Sequence, residues 1–442
     1  MPTSFLPYEP NHAFLLPPSP SEWLPENHLV YFVGDIIDRL DLQKFYARYE
    51  GDGRRNQPYD PAMLVKVLVY GYATGVFSSR KLAKKLYEDV AFRVLGAGNF
   101  PSHRTICEFR VKHLVELKEL FVAVARLAQE LGLVKLGTVA LDGTKVKAQA
   151  SKHKAMSYGR MKEQEQKLKQ EIEALLERAR LTDAQEDAQG ARDQSQEQLP
   201  EELQRRQERL GKIDAAKARL EERQAQADRE RGRHPDDEQR RGDGAGRPFK
   251  RPFGVPEDKA QDNFTDPQSR IMKMGTAFEQ CYNAQAVVDA DSQLIVASGL
   301  GNNAADNEHL VPMVEMVKEN LGELPKRVLG DAGFRSEDAF VKLENHKEEM
   351  EVLVALGREG KNQAAIDPKQ YPATLRMAER LASAGGRAHY RRRKAIVEPV
   401  FGWIKHAMGF RQFSLRGLDK VTGEWGLVCL ALNVRRMWVL QS

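Results

Sequence analysis

Residues 138–143 read TVALDG, a short apolar run that ends in a carboxylate followed by glycine. Its aliphatic and β-branched residues predict a buried β-strand, with Asp142 at or near the strand's end. The stretch VLGDAGF at 328–334 repeats the pattern and places Asp331 in the same position. Asp beside Gly is common in ordinary turns. Each aspartate is therefore consistent either with a turn or with an acidic site shared by two strands.

A third carboxylate stands alone among cations. Between residues 387 and 416 there are eight Lys or Arg and one acid, Glu398. The spacing of apolar residues predicts a helix over 391–408. Lys394 and Lys405 lie four residues before and seven after Glu398, so all three project from one helical face. A single acid in such a strip indicates either an ion-pair partner or a metal ligand beside bound phosphate.

The rest of the chain predicts a fold of mixed class, α+β or α/β. Residues 1–135 predict an all-helical domain in which Asp60-Pro61 starts a helix. Two long amphipathic helices are predicted at 160–181 and 200–231, as an antiparallel hairpin or coiled coil, followed by a flexible linker at 233–256. The remaining predicted elements are a strand hairpin at 279–299, a helix at 306–321 capped by residues 303–306, a strand at 327–331, a helix at 336–346, a strand at 351–356, a helix-bearing insertion at 357–386 and a closing helix at 421–440.

These elements predict three units. The first is the helical domain 1–135, expected to bind DNA or to dimerise. The second is a mixed sheet with flanking helices, formed by 136–150 and 276–442. The third is a helical insertion, coiled-coil-like and with a flexible linker, over 151–275. The sheet domain is thus predicted to be interrupted by the insertion.

Composition excludes several classes of protein. The formal net charge of +5 is modest, but residues 78–112 carry eight Lys or Arg against three acids, a second basic cluster suited to phosphate backbones. The three cysteines are far apart, which argues against a disulfide framework and a zinc site. No apolar run approaches the ~20 residues of a spanning helix, and the Pro-rich start is not a secretory signal. A cytoplasmic protein without a membrane partner is expected.

Three carboxylates have a clear chemical use next to phosphodiesters. Two Mg²⁺ ions roughly 3.5–4 Å apart activate the attacking oxygen and stabilise the leaving oxygen of an in-line displacement. Mg²⁺ prefers oxygen ligands and keeps several waters, so a few carboxylates on rigid elements suffice. Asp142, Asp331 and Glu398 would converge if their two strands were neighbours and the Glu398 helix packed across them.

At these residues the chain resembles the DDE transposases of bacterial insertion sequences, a group with an RNase H-like catalytic core. The resemblance covers most of the chain, and its blocks occur in the family's order. They are YDPAMLVKVLVYGYATGVFSSRKLAKKL (59–86), FPSHRTICEFR (100–110), LDGTKVKAQAS (141–151), NFTDPQSRIMKMG (263–275), YNAQAVVD (282–289), VLGDAGFRS (328–336) and YRRRKAIVEPVFGWIKHAMGFRQFSLRG (390–417). In the last block Lys405 has the family's usual offset from Glu398, Tyr390 lies one residue further upstream than is commonest, and Lys394 replaces the usual Arg.

The resemblance implies a function and a set of site residues. Asp142, Asp331 and Glu398 would be the catalytic acids and would hold two Mg²⁺ ions, with Mn²⁺ as a substitute. Water would free a 3′-OH at the transposon end, and that 3′-OH would attack target DNA. The expected partners are the terminal inverted repeats, the target DNA and a second copy of the chain in a nucleoid-associated complex. The candidate DNA-binding residues are Lys405, Arg393, Lys394, Tyr390 and Arg391 near Glu398, and Arg80, Lys81, Lys84, Lys85, Arg104, Arg110 and Lys112 in the helical domain.

Two other functions fit the same residues. A nuclease of the same fold, belonging to no mobile element, would cut DNA without joining it. A DNA-binding or scaffold protein would use the carboxylates only as structural groups. The two basic clusters are compatible with all three functions, because a solvated charged face accounts for either cluster about as well.

Overall fold

The computed structural model describes residues 19–49, 57–189, 199–235, 251–346, 350–357 and 366–441. Within them a mixed sheet is surrounded by helices, which confirms the predicted mixed class. Most of the linker predicted at 233–256 lies outside the described residues. No helix in the described ranges is both long enough and apolar enough to cross a bilayer.

Helices alone make up the described N-terminal region. Asp60 begins the third of them, as predicted, because its Oδ1 accepts from the Ala62 and Met63 amides at 2.7 and 3.3 Å and Pro61 takes the first helical position. That helix is apolar on nearly all sides and is buried, as such helices are. The helices are Leu29–Asp38 (α1), Gln43–Ala47 (α2), Pro61–Ala73 (α3), Ser79–Glu88 (α4), Val90–Gly96 (α5), His103–Lys112 (α6) and Leu114–Glu130 (α7).

The strands form a main sheet and a small second sheet. Their bounds are Val139–Lys147 (β1), Ala155–Ser157 (β2), Gln261–Asn263 (β3), Arg270–Met274 (β4), Ala277–Asp289 (β5), Ile295–Gly301 (β6), Arg327–Gly330 (β7) and Glu351–Val354 (β8). The main sheet has the order β4-β5-β1-β7-β8, and β6 also pairs with β5. β5 runs antiparallel to β1, whereas β7 is parallel to β1 and β8 to β7. β4 belongs to this sheet although it lies inside the range predicted for the insertion.

The register of the main sheet places the two predicted aspartates side by side. Leu141 of β1 pairs with Gly330 of β7, so the next residue of each strand is the aspartate. β1 does not end there, because it continues along β5 to Lys147. Asp142 therefore lies where the pairing with β7 ends rather than at the end of its own strand.

The predicted helical hairpin is present as Tyr158–Gln189 (α8) and Leu199–Glu230 (α9). The helices run antiparallel, since Lys217 pairs with Glu165 and Arg206 with Glu171 further along. The base of the hairpin has its own small core, separate from the main one. The buried residues of that core are Tyr158, Met161, Leu168, Ile213, Ala216 and Leu220.

The hairpin is held against the small second sheet through β3. Asp262 of β3 is buried and pairs with Arg219 and Arg223 of α9. Such an attachment is specific, because an unpaired buried carboxylate would be strongly destabilising. β2 lies just before α8 and β3 follows α9 in the chain, so the small sheet pairs the two ends of the hairpin segment.

The helix predicted over 391–408 is divided. Pro399 lacks an N–H, so the Ala395 carbonyl has no helical partner and accepts instead from the Gln293 side chain at 3.1 Å. A π-helical turn, Trp403–Ala407, follows. The remaining helices are Leu310–Leu321 (α10), Glu337–Glu344 (α11), Pro372–Ala382 (α12), Ala384–Arg391 (α13), Arg393–Gly402 (α14) and Leu418–Gln441 (α15).

The last helix joins the N-terminal helices to the sheet. α15 packs against α3 and α7 on one side and against β6 on the other. Buried residues of α1, α3, α7, β1, β5 and α15 consequently belong to one continuous apolar cluster. The helical region and the sheet domain therefore share a core.

Candidate active site

Two aspartates occupy the edge of the main sheet where β1 and β7 part. Asp142 is half-buried, and its Oδ1 accepts from the Gly143 amide at 2.8 Å. Asp331 begins a short 3-10 turn, and its Oδ1 accepts from the Gly333 amide at 2.8 Å. The in-register pairing of Leu141 with Gly330 brings the two carboxylates to the same place.

The neighbouring negative charge affects the pKa of Asp142. Burial raises the pKa of Asp142 to about 6, and the negative charge of Asp331 raises it as well. Arg393 opposes both effects, since its Nη1 donates to Asp142 Oδ2 at 3.3 Å. The site therefore holds a carboxylate whose charge its surroundings only partly compensate.

Asp142→Asn is expected to stabilise the metal-free protein at neutral pH. Because the pKa of about 6 in the folded chain lies above the ordinary value of 3.8, the folded chain binds this proton more tightly than the unfolded chain. The ionised carboxyl thus destabilises the fold fully above about pH 6 and not at all below the ordinary value. The shift corresponds to roughly 3 kcal/mol. In a chelator, the melting temperature of the variant should exceed that of the wild type near neutral pH and equal it in acid. Equal melting temperatures at both pH values would contradict this.

Two lysines also approach the aspartates. Lys405, in the π-helical turn, donates to Thr144, two residues along β1 from Asp142. Burial lowers the pKa of Lys405. Lys145 donates to the Ala304 carbonyl at 3.0 Å. Of the residues predicted for DNA contact, Arg393 thus touches Asp142 itself and Lys405 touches β1 two residues further along.

Sequence reasoning missed Asp306. Residues 303–306 were predicted to cap a helix, but α10 begins at Leu310 and has no side-chain cap, so that interpretation was wrong. The Asp306 carboxylate lies instead against Gly143 and Gly333, the glycines that follow the two predicted aspartates. The only signal in the sequence was an Asp before a helix, which ordinarily indicates a cap.

The third predicted carboxylate, Glu398, comes from a helix and not from the sheet. It is exposed on α14, the helix whose first residue, Arg393, contacts Asp142. The hydrogen bonds and ion pairs found among the described residues do not include one from Glu398 to either aspartate. Within the same ranges no three Asp, Glu, His or Cys side chains are grouped as a metal site would require. The register of β1 and β7 brings the two aspartates together, and the position of Glu398 is set by α14.

The predicted DNA-binding residues divide into exposed and buried members. Arg110 is buried and donates to the Tyr72 hydroxyl at 2.8 Å and to the Phe77 carbonyl at 2.9 Å, so it is not part of the basic surface. Arg393 faces Asp142 and is also buried. Lys85 is half-buried and pairs with its helical neighbour. The exposed members are Arg80, Lys81, Lys84, Arg104, Lys112, Arg391 and Lys394.

Comparison with known proteins agrees with this architecture. A family model described as "Transposase DDE domain" matches residues 243–434, which include Asp331 and Glu398 but not Asp142. A second, "Transposase domain (DUF772)", matches residues 18–112. No curated protein and no solved structure matches the chain. The two family matches together cover more than half of the sequence, and the chain belongs to the DDE transposases of insertion sequences.

Proposed function

We propose that the chain cuts DNA at the ends of an insertion sequence and joins those ends to target DNA at a site formed by Asp142, Asp331 and Glu398. The observation that carries the proposal is the register of β1 and β7, which puts two carboxylates next to each other at one sheet edge. The strand order is β6-β5-β1-β7-β8, and β5 runs antiparallel to the other four strands. This topology supports an RNase H-like core.

The two aspartates fit a divalent metal ion. DDE transposases use such ions. Burial and the charge of Asp331 both raise the pKa of Asp142, so Arg393 compensates the charge of this carboxylate only partly. Magnesium ions would supply the remaining positive charge through oxygen ligands, activating the attacking oxygen and stabilising the leaving one. We assign Asp142 and Asp331 as ligands, and Glu398 as the third on the basis of the family's motif.

The remaining residues of the site would position DNA. In the first step a water oxygen attacks the phosphorus at the element's end, and the 3′ oxygen leaves and takes up a proton. In the second, that 3′-OH attacks a target phosphodiester, forms the new bond and releases a 3′-OH of the target. Arg391 and Lys394 are exposed cations near Glu398 in the sequence, and they would hold phosphates by charge. Lys405, held against β1, would do so beside Asp142.

The N-terminal region would bind the terminal repeats. Five of its candidate cations are exposed, and α4 carries several of them on one side. Two copies of the chain, one at each end, are expected to act together near the nucleoid. We assign residues 1–135 to end binding, 136–150 with 276–442 to the chemistry, and 151–275 to the insertion.

A strand-transfer assay tests the proposal. The substrates are labelled duplexes that cover the genomic DNA on each side of the reading frame, together with a supercoiled plasmid, in Mg²⁺ or in chelator. We expect a metal-dependent nick at one position and a labelled product joined to plasmid. Nicking without joining would indicate a nuclease that does not belong to a mobile element. Binding without any metal-dependent product would reduce the chain to a DNA-binding protein.

A further inference from the structure

Asp306 is held firmly in a loop between β6 and α10. Its Oδ1 accepts from Asn283 Nδ2 and from Gln285 Nε2, both at 2.6 Å. Both amides come from β5 and are fully buried. Buried side chains of a sheet have few alternative rotamers, so the carboxylate is fixed relative to β5. Charge is partly balanced by Lys145, whose Nζ lies 3.8 Å from Asp306 Oδ2.

The same carboxylate lies against the backbone after each aspartate. A Cβ at Gly143 would come within 2.8 Å of Asp306 Oδ1. A Cβ at Gly333 would come within 3.1 Å of Asp306 Oδ2 and 3.0 Å of Asp331 Oδ1. Neither glycine has a positive φ, so close packing, rather than backbone conformation, is what disfavours a side chain there. One side chain therefore spans the space from the residue after Asp142 to the turn after Asp331.

We infer that Asp306 is a positioning residue for Asp142 and Asp331, an inference that rests on the function proposed above. Pairing between β1 and β7 stops at Leu141 and Gly330. Beyond that point the strands no longer fix the distance between the two aspartates. Asp306 occupies this gap, tied to β5 on one side and packed on both glycines on the other. Phosphoryl chemistry depends on placement to within a fraction of an ångström, so such a brace affects the rate.

The test compares Asp306→Ala and Asp306→Asn with the wild type in the Mg²⁺-dependent nicking reaction. Alanine removes the brace, and we expect kcat to fall about 100-fold, the loss typical of a misplacement of about 1 Å, with KM for DNA unchanged. Asparagine keeps the shape and an acceptor oxygen, and we expect it to restore kcat to within about tenfold of the wild type. Glu308→Ala is the matched control, since Glu308 is an exposed acid of the same loop.

The Mg²⁺ concentration for half-maximal nicking separates positioning from a merely structural role. Displaced carboxylates raise the half-maximal Mg²⁺ concentration in Asp306→Ala. A loss of folded protein alone would lower the amount of nicked product and leave the half-maximal Mg²⁺ concentration unchanged. Wild-type kcat and half-maximal Mg²⁺ in Asp306→Ala would overturn the inference and leave the proposed function intact. An inactive wild type would overturn the proposed function and this inference with it.

Discussion

Asp142→Asn is expected to reduce Mg²⁺-dependent nicking at least about 1000-fold, a loss of roughly 4 kcal/mol in transition-state stabilisation. The amide keeps the size of the side chain but removes a charged ligand next to Asp331. Burial and the neighbouring charge already raise the pKa of Asp142 to about 6, so this carboxylate is the one that its surroundings compensate least. Its replacement removes the strongest reason for a cation to bind there.

The measurement is the initial nicking rate on the labelled end duplex at saturating Mg²⁺. DNA affinity, measured in chelator, should change little, because the phosphate contacts proposed above come from cations and not from this carboxylate. Asp291→Asn is the control, since Asp291 is an exposed aspartate in the turn between β5 and β6. Unchanged nicking in Asp142→Asn would contradict the proposed metal site.

Glu398→Gln is expected to reduce the Mg²⁺-dependent nicking rate by the same order of magnitude as Asp142→Asn. The reasoning is different, because Glu398 is exposed and is assigned through the family's motif rather than through contact with the aspartates. A normal rate in this variant, with Asp142→Asn inactive, would restrict the site to the two aspartates. Asp331→Asn should be as inactive as Asp142→Asn, because the register makes the two positions equivalent.

Local patterns predicted the two strands that carry the aspartates. An apolar run closed by Asp and Gly marks a strand that reaches the edge of a sheet, and two such runs in β1 and β7 proved to be parallel neighbours. The helix around Glu398 was also predicted, although its α-helical part ends at Gly402 and a π-helical turn follows. These features depend on residues that are close in sequence.

Features that depend on distant residues were not predictable in the same way. Asp306 contacts Asn283, Gln285 and Gly333, and only the register of β5 and the path of two loops bring these residues together. The three-residue strands β2 and β3 are too short to show a period. Helical spacing likewise identifies a polar face without saying what covers it, so Arg110 was placed on the DNA-binding surface.

Arg110 belongs instead to a buried polar network that joins the N-terminal helices to the sheet domain. Its guanidinium donates to the Tyr72 hydroxyl, which donates to Glu424 Oε1 at 3.2 Å. Glu424, on α15, is fully buried, and its Oε2 also accepts from the Ser414 and Leu415 amides at 2.9 and 3.0 Å. These residues come from α3, α6, α15 and the loop before α15, so the network spans both regions.

The loop that Glu424 holds runs beside the strand that carries Asp142. The Phe413 amide donates to the Lys147 carbonyl of β1 at 2.9 Å, and the Lys147 amide donates to the Arg411 carbonyl at 3.3 Å. Loss of Glu424 would therefore free a segment that pairs with the last residue of β1, on the side opposite to β5. The buried acid connects the helices of the N-terminal region with the position of β1.

Glu424→Ala is accordingly expected to destabilise the protein by about 3 kcal/mol, because it leaves the buried Tyr72 hydroxyl, the buried Leu415 amide and the Ser414 amide without their acceptor. Glu424→Gln, which keeps one acceptor oxygen, should be less destabilising. Urea unfolding followed by circular dichroism measures both, with Asp419→Ala as the control at an exposed acid of the same helix. If the free energy of unfolding of Glu424→Ala lies within about 1 kcal/mol of the wild-type value, below the cost of leaving several buried donors unsatisfied, the network does not hold the two regions together.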